Sequence, residues 1–502
     1  MNRPLVVLLA LACAVAPAVA SADPAAPTAL PDTPAGRCLA EFVSALNSSD
    51  SAQWIAFLAQ HPPADANDSA AIQERRFGLM RTVHGDFGGL DPVKVLESSE
   101  YFLSVILRGR VPVQASGYLR LAFTVTDQPP HRWVRMEAEM LDEDPFAPPP
   151  PRMESDEQLA AWVDSVVTAM AAAGQFSGAI LLAKDGVPFY SRAVGPADRC
   201  CGAPNLLDTK FNLGSMNKMF TGVAIARLAQ EGKLAFEDPL IRYLPDYPDR
   251  EAAAKVTIHQ LLTHTAGVDD YWEELFDTSF WEIKSVDGYY QLIKDKPLRF
   301  EPGTQYRYSN GGPILLGVII ERITGQSYYD YVRDHIFRPA GMINTDCYEV
   351  DVPTPNLAIG YTRLDYSGRR DTVWRANYFM HAVKGGPAGG GYSTVEDLLA
   401  FDRALRSYRL LNQAFTDTVL AGRVAMEPGP VSTRKADEMY AYLFGDMRTN
   451  GHRIVGHSGG APGINAVLEM YWDDGYTVAV MANIDEAAST LAARIRRVLT
   501  QP

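Results

Sequence analysis

Four consecutive prolines at positions 148–151 lie inside a segment of prolines and acidic residues that runs from residue 142 to residue 154. Proline lacks a backbone N–H and has a fixed φ angle, so this segment cannot continue a helix or pair in a central strand. We therefore assign residues 142–156 as an interdomain linker. A length of 502 residues also exceeds one ordinary hydrophobic core and agrees with two or three domains.

Apolar residues before the linker change their spacing along the chain. Between residues 39 and 58 they recur with the helical period, whereas residues 102–107, 118–126 and 133–140 are typical of strands. The pattern predicts a small α+β domain over residues 33–141, with helices followed by a curved sheet. This order of elements loosely resembles the cone-shaped nuclear-transport-factor-like fold.

Residues 157–500 predict a larger α/β domain. A helix over residues 157–172 precedes a hairpin over residues 177–194, whose turn is Asp185-Gly186. The far end mirrors this arrangement with three strands and a closing helix, at residues 454–457, 464–471, 476–483 and 487–499. We expect one sheet built from the two ends of the domain, with helices on its faces and a largely helical insertion between them.

The first 22 residues have the layout of a secretory signal peptide. An apolar run over residues 5–16 is followed by small residues, which predicts cleavage near Ser21 or Asp23. Cys13 also makes lipoprotein processing an alternative to ordinary cleavage. No later stretch approaches the ~20 apolar residues needed to cross a bilayer. The prediction is a periplasmic or extracellular protein without a transmembrane segment in its mature chain.

Charge and histidine spacing argue against two classes of partner. The formal net charge of −14 argues against nucleic acid, because an acidic surface releases no counterions from a phosphate backbone. His259 and His264 lie five residues apart, but no third ligand follows at a useful spacing, and no His/Cys cluster has zinc-ligand spacing. The sequence therefore predicts neither a metal nor a cofactor.

Beyond Cys13 the chain contains four cysteines: Cys38, Cys200, Cys201 and Cys347. They are too few and too scattered for a disulfide framework, although an oxidising compartment would allow one or two bridges. A bond between the adjacent Cys200 and Cys201 would be strained. The sequence leaves the pairing open.

Ser215 and Lys218 place a hydroxyl and an amine on one face at the start of a predicted helix. A serine hydroxyl is a weak nucleophile at neutral pH, and a neighbouring amine that accepts its proton activates it. The apolar residues that follow, between positions 219 and 228, would anchor the serine, whose N–H lies at the positive end of the helix. A second copy of the spacing, Ser432 and Lys435, occurs in a polar segment without such a helix.

Tyr308 and Asn310 form the only Tyr-x-Asn of the chain. They lie between the turn-forming Pro302-Gly303 and an apolar helix predicted over residues 314–323, so both side chains would project from a loop into a cleft. The alternative is a tyrosine that simply packs on that helix.

Residues 456–460 read Gly-His-Ser-Gly-Gly and match Gly-x-Ser-x-Gly, the nucleophile elbow of α/β-hydrolases, which would make Ser458 the nucleophile. An elbow needs a helix after its serine, whereas strand-like residues follow here. Its catalytic histidine must also come later in the chain, and no histidine follows His457. These two facts argue against the elbow.

Together, Ser215-x-x-Lys218, Tyr308-x-Asn310 and the His-x-Gly at residues 457–459 resemble the serine β-lactamase and penicillin-binding-protein superfamily. The resemblance is to its class C β-lactamase-like branch of esterases, D-amino-acid peptidases and D,D-peptidases. It covers about residues 158–500 and extends to the amino-acid sequences of the segments 258–267 and 389–394. It implies a β-lactamase-like fold, in which helices and a mostly helical subdomain flank an antiparallel sheet.

The resemblance also implies the role of each matched residue. Ser215 attacks the substrate carbonyl, Lys218 and Tyr308 share the roles of general base and acid, and no cofactor takes part. The N–H groups of Ser215 and Gly460 form the oxyanion hole. Three further residues bind the substrate: Asn310, Ser458 and Gly459.

His457, which the resemblance also places among the catalytic residues, stands where relatives of this kind usually carry a lysine. Histidine, with a reference pKa of ~6.5, is mostly neutral at pH 7 and binds a substrate carboxylate weakly. This favours a small ester, or an amide without a C-terminal carboxylate, as substrate. The alternatives are a D,D-peptidase or β-lactamase acting on D-amino-acid peptides or β-lactams, and a non-catalytic protein that binds peptidoglycan or a partner. His457 itself would alternatively be a strand residue with no catalytic role.

Overall fold

The computed structural model describes residues 27–48, 50–62, 69–110, 117–141, 145–146, 150–272, 275, 280–366, 370–426 and 438–501. Several sequence predictions lie outside these ranges: the signal peptide with Cys13, linker residues 142–144 and 147–149, and the second Ser-x-x-Lys copy at Ser432 and Lys435. No helix in the described part of the chain has the length and apolar content needed to cross a membrane. The cysteines Cys38, Cys200, Cys201 and Cys347 carry free thiols.

The N-terminal part consists of helices followed by a sheet, in the predicted order. Its elements are α1 (Pro34–Asn47), α2 (Ser51–Gln60), α3 (Ser69–Phe87), β1 (Leu90–Ser98), β2 (Phe102–Gly109), β3 (Tyr118–Val125) and β4 (Trp133–Met140). The four strands pair antiparallel in sequence order. Phe42 of α1 packs against Phe123 and Trp133 of the sheet, with ring centroids 6.5 and 5.8 Å apart. The nuclear-transport-factor-like assignment stays a prediction.

The C-terminal part contains a larger sheet and many helices. Its strands are β5 (Gly178–Lys184), β6 (Val187–Val194), β7 (Pro196–Asp198), β8 (Ala203–Pro204), β9 (Phe211–Asn212), β10 (Tyr361–Leu364), β11 (Arg370–Ala376), β12 (Tyr392–Ser393), β13 (Val424–Ala425), β14 (Glu438–Tyr440), β15 (Gly445–Thr449), β16 (His452–Ala461), β17 (Ile464–Tyr471) and β18 (Tyr476–Ala482). Its helices are α4 (Asp156–Ala172), α5 (Lys218–Gln230), α6 (Arg250–Lys255), α7 (Ile258–Leu262), α8 (Val286–Gln291), α9 (Gly311–Thr324), α10 (Tyr328–Val332), α11 (Arg338–Ala340), α12 (Val395–Arg406), α13 (Gln413–Leu420) and α14 (Ala487–Leu499).

One antiparallel eight-stranded sheet joins the two ends of this part, in the order β13-β14-β15-β16-β17-β18-β5-β6. The junction is the pairing of β18 with β5, in which Val480 lies opposite Ile180. Helices α4 and α14 pack on one face of the sheet through residues such as Val163 and Leu491. Helices α5 and α9 belong to the core on the other face. This arrangement confirms the predicted β-lactamase-like fold, with a sheet flanked by helices and a helical insertion.

Strand β16 is longer than the sequence indicated. Residues 454–457 were predicted as strand, whereas the structure extends it to His452–Ala461 and includes three residues of the Ser-Gly-Gly segment. Glycine weakens a strand unless a backbone approaches it closely, and here one does. A Cβ on Gly459 would lie 1.9 Å from Leu213 O and 2.7 Å from Ser215 N. The glycines therefore let β16 lie directly against the turn that carries Ser215.

Candidate active site

Ser215 and Lys218 lie side by side at the junction of a 3₁₀ turn, Gly214–Asn217, with helix α5. Lys218 Nζ is 3.1 Å from Ser215 Oγ, which is hydrogen-bonding distance. Apolar side chains of α5, including Phe220, are fully buried and fix the helix in the core. The predicted serine–amine pair is therefore present and rigidly held.

The amine of Lys218 is completely buried. Its Nζ lies 2.7 Å from Asn310 Oδ1 and 2.5 Å from the carbonyl oxygen of Ala388. Burial lowers the pKa of Lys218 from its usual value to about 7, and the negative charge of Asp270 partly opposes this shift. Near neutral pH the side chain is thus divided between its ammonium form and the amine that can accept a proton.

Asp270 is a residue of this site that sequence reasoning missed. Its carboxylate accepts hydrogen bonds from the backbone N–H of Asn310 at 3.0 Å and from Asn310 Nδ2 at 3.0 and 3.3 Å. Because the amide nitrogen of Asn310 faces Asp270, its oxygen Oδ1 faces Lys218. The sequence signal was an acidic pair, Asp269-Asp270, two residues after the segment 258–267 ends, and this pair did not indicate the contact with Asn310.

Tyr308 stands over the buried amine. The centroid of its ring lies 4.8 Å from Lys218 Nζ, and its side chain is only partly buried. The ring also packs against His264, at a centroid distance of 4.4 Å, and against Tyr440 at 6.4 Å. The tyrosine therefore reaches the site and contributes to packing as well.

Strand β16 forms the opposite wall of the site. His457 lies beside Tyr308, with ring centroids 6.4 Å apart, and its Nδ1 is 2.5 Å from the carbonyl oxygen of Ser458. Ser458 and Gly460 are exposed, whereas Gly459 is buried against the turn of Ser215. The strand continues through this segment and turns into β17, so no helix follows Ser458 as a nucleophile elbow requires.

A glycine-rich segment, residues 385–391, completes the support of the turn that carries Ser215. The N–H of Gly390 donates to Gly214 O at 3.1 Å, and Asn217 Nδ2 donates to Gly386 O at 2.7 Å. A Cβ on Gly389 would lie 3.0 Å from Gly214 O. Close backbone packing on two sides thus fixes the position of Ser215.

The two histidines considered as metal ligands have separate phenol partners. His259 Nδ1 is 2.9 Å from Tyr442 Oη, and His264 Nε2 is 3.0 Å from Tyr440 Oη. Within the described ranges, no group of three or more His, Cys, Asp or Glu side chains is arranged to hold a metal ion.

A cavity of about 370 Å³ adjoins the site on the side of Tyr308 and His457. Its lining includes Tyr440, Ser458 and apolar residues such as Met426 and Met447. A space of this size accommodates a small organic group next to Tyr308 and His457.

Comparison with known proteins agrees with this geometry. The beta-lactamase family matches residues 163–501. Penicillin-binding protein 4* of Bacillus subtilis strain 168 is 31% identical over 328 residues, which cover 62% of this chain and 69% of that protein. Esterase EstB of Burkholderia gladioli is 34% identical over 218 residues, which cover 40% of this chain and 55% of that protein.

A solved structure supports the same relationship. The penicillin-binding protein from Bacillus halodurans superposes with a TM-score of 0.59 at 31% identity and covers 66% of this chain and 98% of its own. The family match spans more than half of the chain, and it includes the serine–lysine pair, the loop of Tyr308 and the wall formed by β16. The chain therefore belongs to the beta-lactamase family, within the superfamily of serine β-lactamases and penicillin-binding proteins.

Proposed function

We propose that the protein is a serine hydrolase that cleaves a small ester or amide through an acyl-Ser215 intermediate. The observation that carries the proposal is the fully buried Lys218, whose pKa is lowered to about 7 and whose Nζ lies 3.1 Å from Ser215 Oγ. An amine with a pKa near the working pH is well matched to accept and return a proton. The mechanism uses no metal and no cofactor.

Acylation begins when the neutral Lys218 takes the proton of Ser215 Oγ as the oxygen attacks the substrate carbonyl. A bond forms between Oγ and the carbonyl carbon, and the carbonyl oxygen becomes an oxyanion. The N–H groups of Ser215 and Gly460 stabilise it, each by about 3 kcal/mol if they act as in other serine hydrolases. The tetrahedral intermediate then breaks its bond to the leaving group, which takes up the proton from Lys218 or Tyr308.

Deacylation repeats these steps with water. Water attacks the acyl carbon, its proton passes to the Lys218–Tyr308 pair, and Ser215 Oγ leaves with a returned proton. Asn310 contacts both Lys218 and the substrate in this scheme. Its Oδ1 contacts Lys218, while its loop faces the substrate. Ser458 and Gly459 contact the substrate along the edge of β16.

His457 favours neutral substrates in this proposal. A neutral imidazole offers a substrate carboxylate no permanent positive charge, unlike a lysine at the same position. The similarity to an esterase, EstB, agrees with ester substrates. The similarity to penicillin-binding protein 4* supports a second candidate, a D,D-peptidase or β-lactamase that acts on D-amino-acid peptides or β-lactams.

A serine-directed probe tests the proposal directly. A fluorophosphonate should modify the folded protein once per chain, and digestion followed by mass spectrometry should locate the label on Ser215. Heat-unfolded protein should not react and serves as the control. A folded protein that no such probe modifies would instead support the non-catalytic alternative, a binder of peptidoglycan or of a partner.

The substrate preference gives a separate prediction. We expect kcat/KM for p-nitrophenyl butyrate to exceed that for nitrocefin and for a D-Ala-D-Ala peptide by about 10²-fold or more, since both of the latter carry a carboxylate. Initial rates of all three substrates with one enzyme preparation check this. Efficient nitrocefin hydrolysis would instead favour the second candidate.

Asp270→Asn should lower kcat by about 10- to 100-fold, because Asn310 loses its fixed orientation and small misplacements of catalytic groups are costly. Removing the negative charge should also lower the pKa of Lys218 further, so the acidic limb of the pH–rate profile should move to lower pH. Asp269→Asn is the matched control, because Asp269 pairs with Arg299 and its carboxylate makes no bond to Asn310. Equal losses in both variants would contradict the positioning role of Asp270.

We also propose that the protein acts in the periplasm or outside the cell after removal of residues 1–22, with lipoprotein processing at Cys13 as the alternative. The apolar run over residues 5–16 and the small residues after it support this proposal. N-terminal sequencing of the exported protein should give a start near Ser21 or Asp23. A lipid-modified Cys13 would establish the alternative.

A further inference from the structure

Three consecutive carbonyl oxygens of the glycine-rich segment, at residues 386–388, each accept a hydrogen bond from a side chain that lies just after Ser215. The donors are Asn217 Nδ2 to Gly386 O at 2.7 Å, Thr221 Oγ1 to Pro387 O at 2.8 Å and Lys218 Nζ to Ala388 O at 2.5 Å. All three donors belong to one short stretch, residues 217–221, at the start of helix α5. Residues 386–388 are therefore tied to the start of this helix at every carbonyl.

The hydroxyl of Thr221 is completely buried between two oxygen atoms. Besides Pro387 O it contacts Tyr328 Oη at 2.7 Å, and Tyr328 is also fully buried. A carbonyl oxygen can only accept, so the single hydroxyl hydrogen of Thr221 goes to Pro387. Tyr328 then donates its own hydrogen to Thr221 Oγ1. The phenol of α10 thus directs the threonine, and the threonine holds the backbone at Pro387.

The next carbonyl of the segment, Ala388 O, orients the amine of Lys218. Nζ has three hydrogen-bond partners among the described residues: Ala388 O, Asn310 Oδ1 at 2.7 Å and Ser215 Oγ at 3.1 Å. The first two can only accept, because the amide nitrogen of Asn310 is turned towards Asp270. An ammonium group gives one hydrogen to each of the three partners. A neutral amine has two hydrogens, which the two carbonyl oxygens take, so its lone pair is directed at Ser215.

The other orientation of the neutral amine is costly. If one hydrogen pointed at Ser215, the lone pair would face a carbonyl oxygen, which would lose the hydrogen bond that Lys218 gives it. Ala388 is buried, and an unpaired buried acceptor carries a penalty that favours the productive orientation by about tenfold or more. This preference requires that Ala388 O stays in place. Its position depends on the anchors of the neighbouring backbone, and Thr221 anchors the residue directly before it.

We propose that Thr221, held by Tyr328, is a positioning residue of the active site. It fixes the backbone at Ala388, whose carbonyl oxygen takes one hydrogen of Lys218 and so leaves the lone pair of the neutral amine aimed at the hydroxyl of Ser215. The inference deepens the proposed function and rests on it for the effect on turnover. The orientation of the amine is a property of the resting protein. Thr221 and Tyr328 act through the backbone and not on the substrate.

Two substitutions of Thr221 separate its hydroxyl from its shape. Thr221→Val removes the hydroxyl and keeps the branched side chain, whereas Thr221→Ser keeps the hydroxyl. With a neutral ester at alkaline pH, Thr221→Val should lower kcat by about tenfold or more and change KM by less than about threefold, because a misdirected amine slows the chemical step. Thr221→Ser should retain kcat within about threefold. Circular dichroism checks that the variants are folded. Wild-type kcat in folded Thr221→Val, or an equal loss in both variants, would overturn the proposal.

Helix α10 provides a matched pair of tyrosines. Tyr331 is buried three residues after Tyr328, but its hydroxyl makes no hydrogen bond to any described residue. Tyr328→Phe should lower kcat by about threefold or more, since Thr221 loses the donor that directs it, whereas Tyr331→Phe should leave kcat unchanged. Each variant loses one buried oxygen, so a change in packing alone would affect both. Equal kcat in the two variants would contradict the role of Thr221, and this pair decides the question if Thr221→Val does not fold.

The titration of Lys218 gives a test that needs no turnover. Loss of a carbonyl acceptor destabilises the ammonium form more than the neutral amine, so in Thr221→Val the pKa of Lys218 should fall below its wild-type value of about 7. Spectra of ¹³Cε-labelled lysine, with Lys218 assigned by its absence in Lys218→Met, measure this pKa, and Thr221→Ser should titrate as the wild type does. An unchanged pKa in Thr221→Val would also overturn the proposal. If the wild type cleaves no ester and reacts with no fluorophosphonate, the proposed function fails, and these spectra still decide whether Thr221 positions the amine.

Discussion

Ser215→Ala is expected to abolish labelling by a fluorophosphonate and to lower ester turnover by about 10⁴-fold or more, since nucleophile removal in serine hydrolases has effects of this size. The substitution removes one oxygen atom from a side chain that lies next to Lys218, so the fold should persist. Progress curves with p-nitrophenyl butyrate at high enzyme concentration measure the residual rate, and circular dichroism checks the fold. Unchanged turnover would refute the acyl-serine mechanism.

The chain offers a matched control for this variant. Ser432 has a lysine three residues later, as Ser215 does, but its copy of the spacing lies in a polar segment. Ser432→Ala should therefore retain wild-type turnover and labelling. If Ser432→Ala were inactive and Ser215→Ala active, the nucleophile would have been assigned to the wrong copy.

Replacing Lys218 by methionine should lower kcat/KM by about 10³-fold or more, because the proton of Ser215 Oγ loses its acceptor. Lys218→Arg is the informative companion, because arginine keeps the positive charge but does not release its proton at any working pH. Both variants should be inactive if the amine is a base. A largely active Lys218→Arg would show that only the charge of the residue matters.

The pH dependence of the wild type follows from the same residue. In the proposed mechanism the base is the neutral amine, and the pKa of Lys218 is lowered to about 7, so kcat/KM should rise with pH through about 7 and level off above it. Below that pH the ammonium form predominates, and the rate should fall about tenfold per pH unit. Measurements with a neutral ester between pH 5 and 9 test this, because such a substrate does not titrate itself.

The candidate catalytic pairs could be found in the sequence because each is a short-range pattern. Ser215 and Lys218 share one helical turn, and Tyr308 and Asn310 share one loop, so spacing alone places each pair together. The sheet was predictable for a similar reason, because alternation marks its strands and turns mark their ends. Three residues of β16 were not predicted as strand, because its glycines are weak strand signals and serve contact with a distant turn.

The supporting residues could not be found in this way, because they act across long separations. Asp270 reaches Asn310 from a loop 40 residues earlier, and Tyr440 reaches His264 from a strand 176 residues later. Neither residue type is unusual at its position, and neither has a characteristic spacing to its partner. Their roles depend on three-dimensional contacts that periodicity does not encode.

The pairing of β5 with β18 has a consequence for how the enzyme reaches its active form. The two strands bracket nearly the whole catalytic part of the chain, and Lys184 at the end of β5 bonds to Asp474, 290 residues later. Contacts between such distant segments form late and slowly in folding. The wall that carries His457 therefore cannot close on Ser215 until almost all of the polypeptide has been synthesised. A newly made chain would therefore lack the assembled candidate site until its last strand is available.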